Sequence, residues 1–313
     1  MDGISPRVSV VMPVRDGAAF LAESIESVLA QTRADWELLV VDDGSRDATA
    51  LIARAFAKQD QRIRFFEGDG GPSQGASWAR NVAIRHSQSE YLAFLDADDV
   101  WLPNKLAEQV QLLDERPGVG MLYGDTLYWF SWSQASADRD FLSPTGVPSD
   151  TVFPPPRLLE RILRDQAAVP CTCSVLVRRS IVDQVGGFEE RFREVYTDQA
   201  FYAKLLLATS VYVARGCWDR YRQHPDSSVI RAEKAGRLPA LQIDYLEWLR
   251  GYVWSSGKAD APLRRAIDRA LWLNRHIRWY RLYRRAHAFA GRQRRLLARM
   301  VGRNLGDKPA SSA

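Results

Sequence analysis

The chain has 313 residues, 46% of them hydrophobic and 26% charged, an ordinary globular composition with length for one large domain or two modest ones. No apolar run reaches the roughly 18 residues that a membrane span needs, and the N-terminus enters a strand pattern without a basic leader, so neither a spanning segment nor a secretory signal is expected. The formal charge of +5 hides an asymmetry: between Pro262 and Arg303 thirteen arginines face a single acid, Asp268, and the remainder of the chain is net acidic.

In chain order, residues 7–14 (RVSVVMPV) read as a short buried strand. Residues 17–31 follow as a helix, with Phe20, Leu21, Ile25, Val28 and Leu29 at helical spacing. Residues 37–41 (ELLVV) form a second strand that ends in Asp42-Asp43-Gly44-Ser45. Asp47 then caps a helix with Leu51, Ile52, Ala55 and Phe56 on one face. Residues 63–67 are a third strand, 75–86 a helix, and 91–95 a fourth strand. Pro103 opens a helix that buries Leu106, Val110 and Leu113, and 121–124 close the series. Strands alternating with helices of this length indicate βαβ units and a parallel sheet.

Residues 131–157, rich in Ser, Pro and Asp, read as a loop or insertion. The pattern resumes with a helix over 158–165, a strand over 174–177, an apolar helix over 199–207 and a strand over 211–213. A turn begins at Tyr221-Arg222-Gln223-His224-Pro225. Beyond about residue 232 the chain reads as helical to Asp307, and the last residues as a disordered tail. The cysteines, Cys171, Cys173 and Cys217, are too few for a disulfide framework and lack zinc-ligand spacing. They are expected to be reduced packing residues of a cytosolic protein.

The most informative stretch is YLAFLDADDVW, where an apolar strand ends in Asp96, Asp98 and Asp99. Clustered carboxylates repel and raise one another's pKa unless a cation intervenes. Hard cations such as Mg²⁺ or Mn²⁺ favour one or two carboxylates plus substrate phosphates. Two strands of the series end in acid pairs, and strand C-termini are where open α/β sheets bind ligands. The glycine-rich segment 68–75 fits neither the dinucleotide fingerprint nor the P-loop, because Ala76 stands where the latter's lysine belongs. It reads as a loop.

Four segments in order, VSVVMPVRDGAAFLAESIESVLAQT, ELLVVDDGSRDAT, GASWARNVAI and YLAFLDADDVWLPNKL, resemble the inverting family 2 glycosyltransferases of the GT-A fold. The later GGFEERF and YRQHPDS match further habits of that family, so the resemblance covers about residues 6 to 230. It implies a Rossmann-like, mixed, mostly parallel sheet flanked by helices, with a C-terminal helical extension. The expected division is a nucleotide-sugar-binding half over 1–125, an acceptor-binding half with the catalytic base over 126–232, and the basic extension with its tail over 233–313.

Position by position, the resemblance implies that Pro13, Val14 and Arg15 line the nucleotide base and ribose. Asp42 and Asp43 match the second acidic pair, with Asp43 accepting from the base, and Arg80 contacts the nucleotide or its phosphates. Asp98 is expected to bind a divalent cation, Mn or Mg, directly, and Asp96 to act through ribose or a metal-bound water. Asp99 is left to helix capping or support. Arg222 and His224 are expected in a phosphate-contacting lid. The catalytic base is Asp198, preceded by Thr197 where the family commonly has glutamate, with Glu194 as partial compensation. Trp101 is expected either to shape the acceptor site or to pack.

The resemblance implies sugar transfer from a nucleotide diphosphate sugar, UDP-linked, to a saccharide or glycolipid hydroxyl with inversion, and with the basic stretch it implies a setting in surface polysaccharide or glycolipid synthesis. A nucleotide-sugar-binding scaffold without catalysis is the alternative motivated by Thr197. A sugar nucleotidyltransferase would want a glycine- and lysine-rich loop that Val14-Arg15-Asp16-Gly17 does not supply. In the basic stretch 262–303, Trp272, Trp279, Tyr280, Tyr283 and Phe289 interleave with arginines, which fits an anionic membrane surface, packing on the acidic body, or a nucleic-acid patch. Nucleic acid is not expected. The cytoplasm, peripherally at the inner face of the membrane, is the expected location.

Overall fold

The computed structural model describes residues 5–68, 72–133, 136, 138–258 and 260–276. The first half runs β1 (Val8–Val14), α1 (Leu21–Leu29), β2 (Trp36–Asp42), α2 (Thr49–Gln59), β3 (Ile63–Glu67), α3 (Ala76–His86) and β4 (Tyr91–Phe94). Next come β5 (Val100–Trp101), α4 (Lys105–Asp114), β6 (Val119–Trp129), β7 (Phe141–Ser143), β8 (Thr151–Phe153) and α5 (Arg157–Leu163). A 3₁₀ turn over Thr172–Ser174 precedes β9 (Leu176–Arg178), α6 (Arg179–Val185), α7 (Thr197–Ala208) and β10 (Ser210–Arg222). Three helices close the described chain: α8 (Ser228–Lys234), α9 (Leu238–Ser255) and α10 (Ala261–Arg275).

Among the described residues the strands form one mixed sheet in the order β3-β2-β1-β4-β9-β6-β10-β5, with β7 on β6 and β8 on β10. Strands β1 to β4 are mutually parallel, and β9 runs antiparallel between β4 and β6. Every residue of β1 and β2 is buried, because helices cover both faces; this is why those strands read as continuous apolar runs. Val8, Val10, Met12 and Val14 face the layer of α1, α2 and α4, whereas Val11 faces the layer of α3, α5, α6, α7, α9 and α10. The period-2 alternation of a strand thus sorts one sequence into two cores.

Pairing of Val14 with Asp42 and of Val11 with Phe94 brings the ends of β1, β2 and β4 to one edge. The strand order reverses between β1 and β4, the switch point at which such sheets leave a crevice.

Several elements differ from the sequence reading. The segment 131–157 is not a plain loop: β7 and β8 pair with β6 and β10. Strand β10 spans 13 residues rather than three, so Tyr221 and Arg222 end a strand and do not start a turn. Asp47 lies one residue ahead of the helix cap position and accepts from the Thr49 and Ala18 amides, tying the turn after β1 to the start of α2. The stretch beyond 232 is helical only in pieces within the described residues, broken near Gly236 and Gly257, both at positive φ.

The basic stretch begins on α10. Leu263, Ala266, Ile267, Ala270 and Leu271 are buried there, while Trp272 is 51% exposed. The apolar face of this helix is therefore covered by the body of the protein. Trp279, Tyr280, Tyr283 and Phe289 lie outside the described residues.

Candidate active site

A cleft of ≈ 1110 Å³ opens at the switch point. Its walls include Pro13, Val14, Arg15, Asp43, Arg80, Asp96, Asp98, Thr197, Asp198 and His224. Most of the residues singled out in the sequence therefore meet around one cavity, although they come from distant parts of the chain.

The turn after β1 is built by short polar side chains. The Asp16 amide donates to Ser45 Oγ, Gly17 N to Thr49 Oγ1, and Arg46 N to Asp16 Oδ1. These bonds fix Pro13 to Arg15 against the Asp42-Asp43-Gly44-Ser45 turn. Asp43 accepts from the amides of Gln74 and Gly75, both at 2.8 Å, and from the Ser73 hydroxyl. It folds the end of the glycine-rich loop over the cleft. Gly75 is required here, since its φ is +98° and a Cβ would stand 3.0 Å from the Arg193 Cα.

Two expected contacts are not formed. Asp42 is buried behind the turn, its Oδ1 taken by the Ser45 amide and hydroxyl, and it does not line the cleft. Arg222 does not reach the cleft either. Its Nη2 lies 2.5 Å from Glu23 Oε2 and its Nε donates to the Asp98 carbonyl, while Phe20, Trp129 and Trp132 surround the guanidinium. A cation so enclosed braces the Asp98 backbone and is withheld from a phosphate in the cavity.

The acidic strand end divides its carboxylates. Asp96 Oδ1 accepts from Arg80 Nη2 at 2.5 Å, and Arg80 Nη1 donates to Thr197 Oγ1 at 3.2 Å. Arg80 is buried, with Nη1 and Nη2 on these partners and Nε without one among the described residues. Asp98 faces the cleft with Oδ2 3.0 Å from His224 Nε2. Asp99 turns inward and accepts from the Arg222 amide; burial and its acidic neighbours push its carboxyl well above the aspartate range. It lies with Cys171 and Cys173 in a cluster whose ligand-type atoms fall within 4.8 Å of one another. There the two thiols hydrogen-bond to each other and Cys173 Sγ donates to Asp219 Oδ2. Trp101 packs, its Nε1 donating to the Cys173 carbonyl.

The Asp98 carboxylate with His224 beside it, opening on a cavity that Asp96 also lines, offers oxygen and nitrogen donors of the kind a hard divalent cation takes. Asp198 stands in the first turn of α7, with Oδ1 accepting from the Gln199 amide, close enough to Arg80 and Asp96 to feel both charges. Burial pushes its carboxyl above the ordinary aspartate range, and the Arg80 cation draws it back. Such a carboxylate binds a proton more readily than a solvated one.

Sequence reading missed other lining residues. Arg193, Arg231, Arg237, Tyr128, Ser143, Pro144 and Thr145 also line the cleft. Arg193 immediately follows GGFEERF, a visible signal; the residues beside β7 gave none. Glu194 pairs with Arg237 at 2.6 Å.

The architecture is that of the GT-A glycosyltransferases. S. aureus TarS 1–349 in complex with UDP-GlcNAc superposes with a TM-score of 0.62 at 18% identity, over 85% of this chain and 70% of that one. The mannosyltransferase PcManGT from Pyrobaculum calidifontis, in complex with GDP-Man and Mn²⁺, gives 0.59 at 20% identity, over 86% and 70%. The chain belongs to glycosyl transferase family 2, whose family model matches residues 9–186. Its relatives include the UDP-Glc:α-D-GlcNAc-diphosphoundecaprenol β-1,3-glucosyltransferase WfgD of Escherichia coli, 38% identical over 38% of this chain. An uncharacterized glycosyltransferase of Rickettsia typhi is 29% identical over 66% of it. The matches span 45% and 61% of those two relatives' own lengths. No helix among the described residues is long and apolar enough to cross a membrane.

Proposed function

We propose that the protein is an inverting, divalent-cation-dependent glycosyltransferase that moves a sugar from a UDP-linked donor to an acceptor hydroxyl in surface polysaccharide or glycolipid synthesis. The observation that carries this is the convergence of Asp43, Asp98 with His224, and Asp198 on one cleft. The turn of Pro13 to Arg15 and the loop folded on Asp43 supply a site for the nucleoside. A bound Mn²⁺ or Mg²⁺, held by Asp98 with His224 and Asp96, would offset the charge of the diphosphate.

Asp198 takes the proton of the acceptor hydroxyl as that oxygen attacks the anomeric carbon. Inversion needs one such carboxylate and no nucleophilic partner. Asp96 and Glu194, the nearby acids on the cleft wall, are engaged by Arg80 and Arg237. Arg193, Arg231 and Arg237, which line the cleft, favour a departing diphosphate. The part of the cleft lined by Tyr128 and Ser143 to Thr145 is left for the acceptor.

The test is a melting-temperature screen of UDP-glucose, UDP-N-acetylglucosamine and GDP-mannose with Mn²⁺, followed by nucleotide release from any donor that binds. Specific binding raises the melting temperature by mass action. Donor binding without release or transfer would favour the scaffold reading; no binding would sink both. The arginines beyond residue 276 supply attraction to anionic lipid, the setting in which a glycolipid acceptor is met. Co-sedimentation with anionic vesicles of the full chain and of a chain ending at His276 tests this, and equal behaviour would refute it.

A further inference from the structure

The base segment is fastened to the C-terminal helical extension. Arg191 Nη2 is 2.7 Å from Asp244 Oδ1, and Glu194 pairs with Arg237 at the cap of α9. Phe192 meets Trp248 edge-on, with ring centroids 5.4 Å apart. Between these contacts Tyr196, the residue before Thr197 and Asp198, is left-handed at φ 61° and ψ 12°. A side chain with a Cβ does not hold that conformation unaided. The ring of Tyr196 lies flat on that of Tyr245, centroids 5.2 Å apart and planes 7° from parallel. Tyr245 is buried, is backed by Trp248, and its hydroxyl reaches the Gln199 carbonyl at 3.4 Å.

We propose that Tyr245 is a positioning residue for Asp198: its stack on Tyr196 holds the left-handed entry to α7 and so sets where the base carboxylate points. This rests on the reading of Asp198 as the base. The extension is then part of the catalytic apparatus, and the acceptor half is incomplete without α9. The physical reason is leverage. Thr197 and Asp198 immediately follow the left-handed residue, so a change of φ at Tyr196 swings both relative to the sugar.

The experiment compares Tyr245→Leu, which fills the site without a flat ring, with Tyr245→Phe, which keeps the ring. Both are assayed for nucleotide release from UDP-glucose, UDP-N-acetylglucosamine and GDP-mannose with Mn²⁺, and for UDP binding by calorimetry. Tyr245→Leu should lose at least about tenfold in kcat with donor KM and UDP affinity unchanged, whereas Tyr245→Phe should stay within about twofold of wild type. Wild-type kcat in the leucine variant, or equal losses in both variants, would overturn the proposal. Should Tyr245→Leu fail to fold, Tyr196→Leu removes the other ring of the stack and, because Tyr196 also lines the cleft, is read by the backbone of the turn rather than by kcat. A crystal structure of either leucine variant gives a readout independent of turnover, in which an unmoved left-handed turn contradicts the proposal. Failure of the glycosyltransferase reading would show separately, as a wild-type protein that neither binds UDP nor releases nucleotide.

Discussion

Arg80 Nη2 and Asp96 Oδ1 lie 2.5 Å apart at the cleft wall, joining α3 to the turn after β4, with the same guanidinium donating to Thr197 beside Asp198. The arginine side chain is 4% exposed and the carboxylate 30%. Replacing Arg80 with methionine strands a half-buried carboxylate and a cleft wall without its cation. The expected loss of stability is at the lower end of the roughly 3–5 kcal/mol seen when one partner of a buried pair is removed, because Asp96 keeps some water. Urea denaturation measures it, and a change below about 0.5 kcal/mol would show the pair to be dispensable.

Asp43 holds the Ser73–Gly75 loop by accepting from two amides and a hydroxyl. Asp43→Ala is expected to release that loop and weaken UDP binding by at least about tenfold, since hydrogen bonds to a charged acceptor are worth about 1.5–3 kcal/mol each. Calorimetry with UDP decides this. Gly75→Ala should act in the same direction through its positive φ and the close Arg193 backbone.

Asp219 is fully buried below the cleft, and burial pushes its carboxyl from 3.8 to about 6 despite the opposing pull of Lys105. A folded-state pKa above the unfolded value means that the native protein binds the proton more tightly. Its stabilising contribution is complete below about pH 4 and is lost as the pH rises to about 6, a difference of up to ~3 kcal/mol. Asp219→Asn should therefore gain on wild type between those values. Denaturation midpoints of both proteins at about pH 4 and about pH 7 test it; parallel shifts would contradict the assignment.

His224 Nε2 sits on Asp98 Oδ2 at 3.0 Å, so the pair should act together toward a cation. His224→Ala is expected to weaken Mn²⁺-dependent UDP binding by about tenfold or more while leaving cation-independent binding unchanged. Calorimetry with and without Mn²⁺ separates the two.

Much of the fold was legible because its parallel strands are buried on both faces and read as apolar runs, as in VSVVMPV and ELLVV. Strand β10 was not, since VARGCWDRYR carries charges that are neutralised only in three dimensions, Arg222 by Glu23 of α1. Three-residue strands such as β7 hold too few residues for a period to show. The motifs located Asp98 and Asp198, but whether an acid faces the cleft or a turn is a rotamer and packing question. Asp42 was captured by Ser45, three residues on, and Arg222 by partners far along the chain. The role of α9 was hidden because a stack between Tyr196 and Tyr245 leaves no local mark.

Asp198→Asn probes the account most directly, because it removes the proton acceptor while keeping shape and the hydrogen bond from Gln199. Nucleotide release coupled to transfer should fall by a factor on the order of 10² or more, with UDP affinity unchanged. Undiminished turnover, or a parallel collapse of UDP affinity, would contradict the assignment of Asp198 as the base.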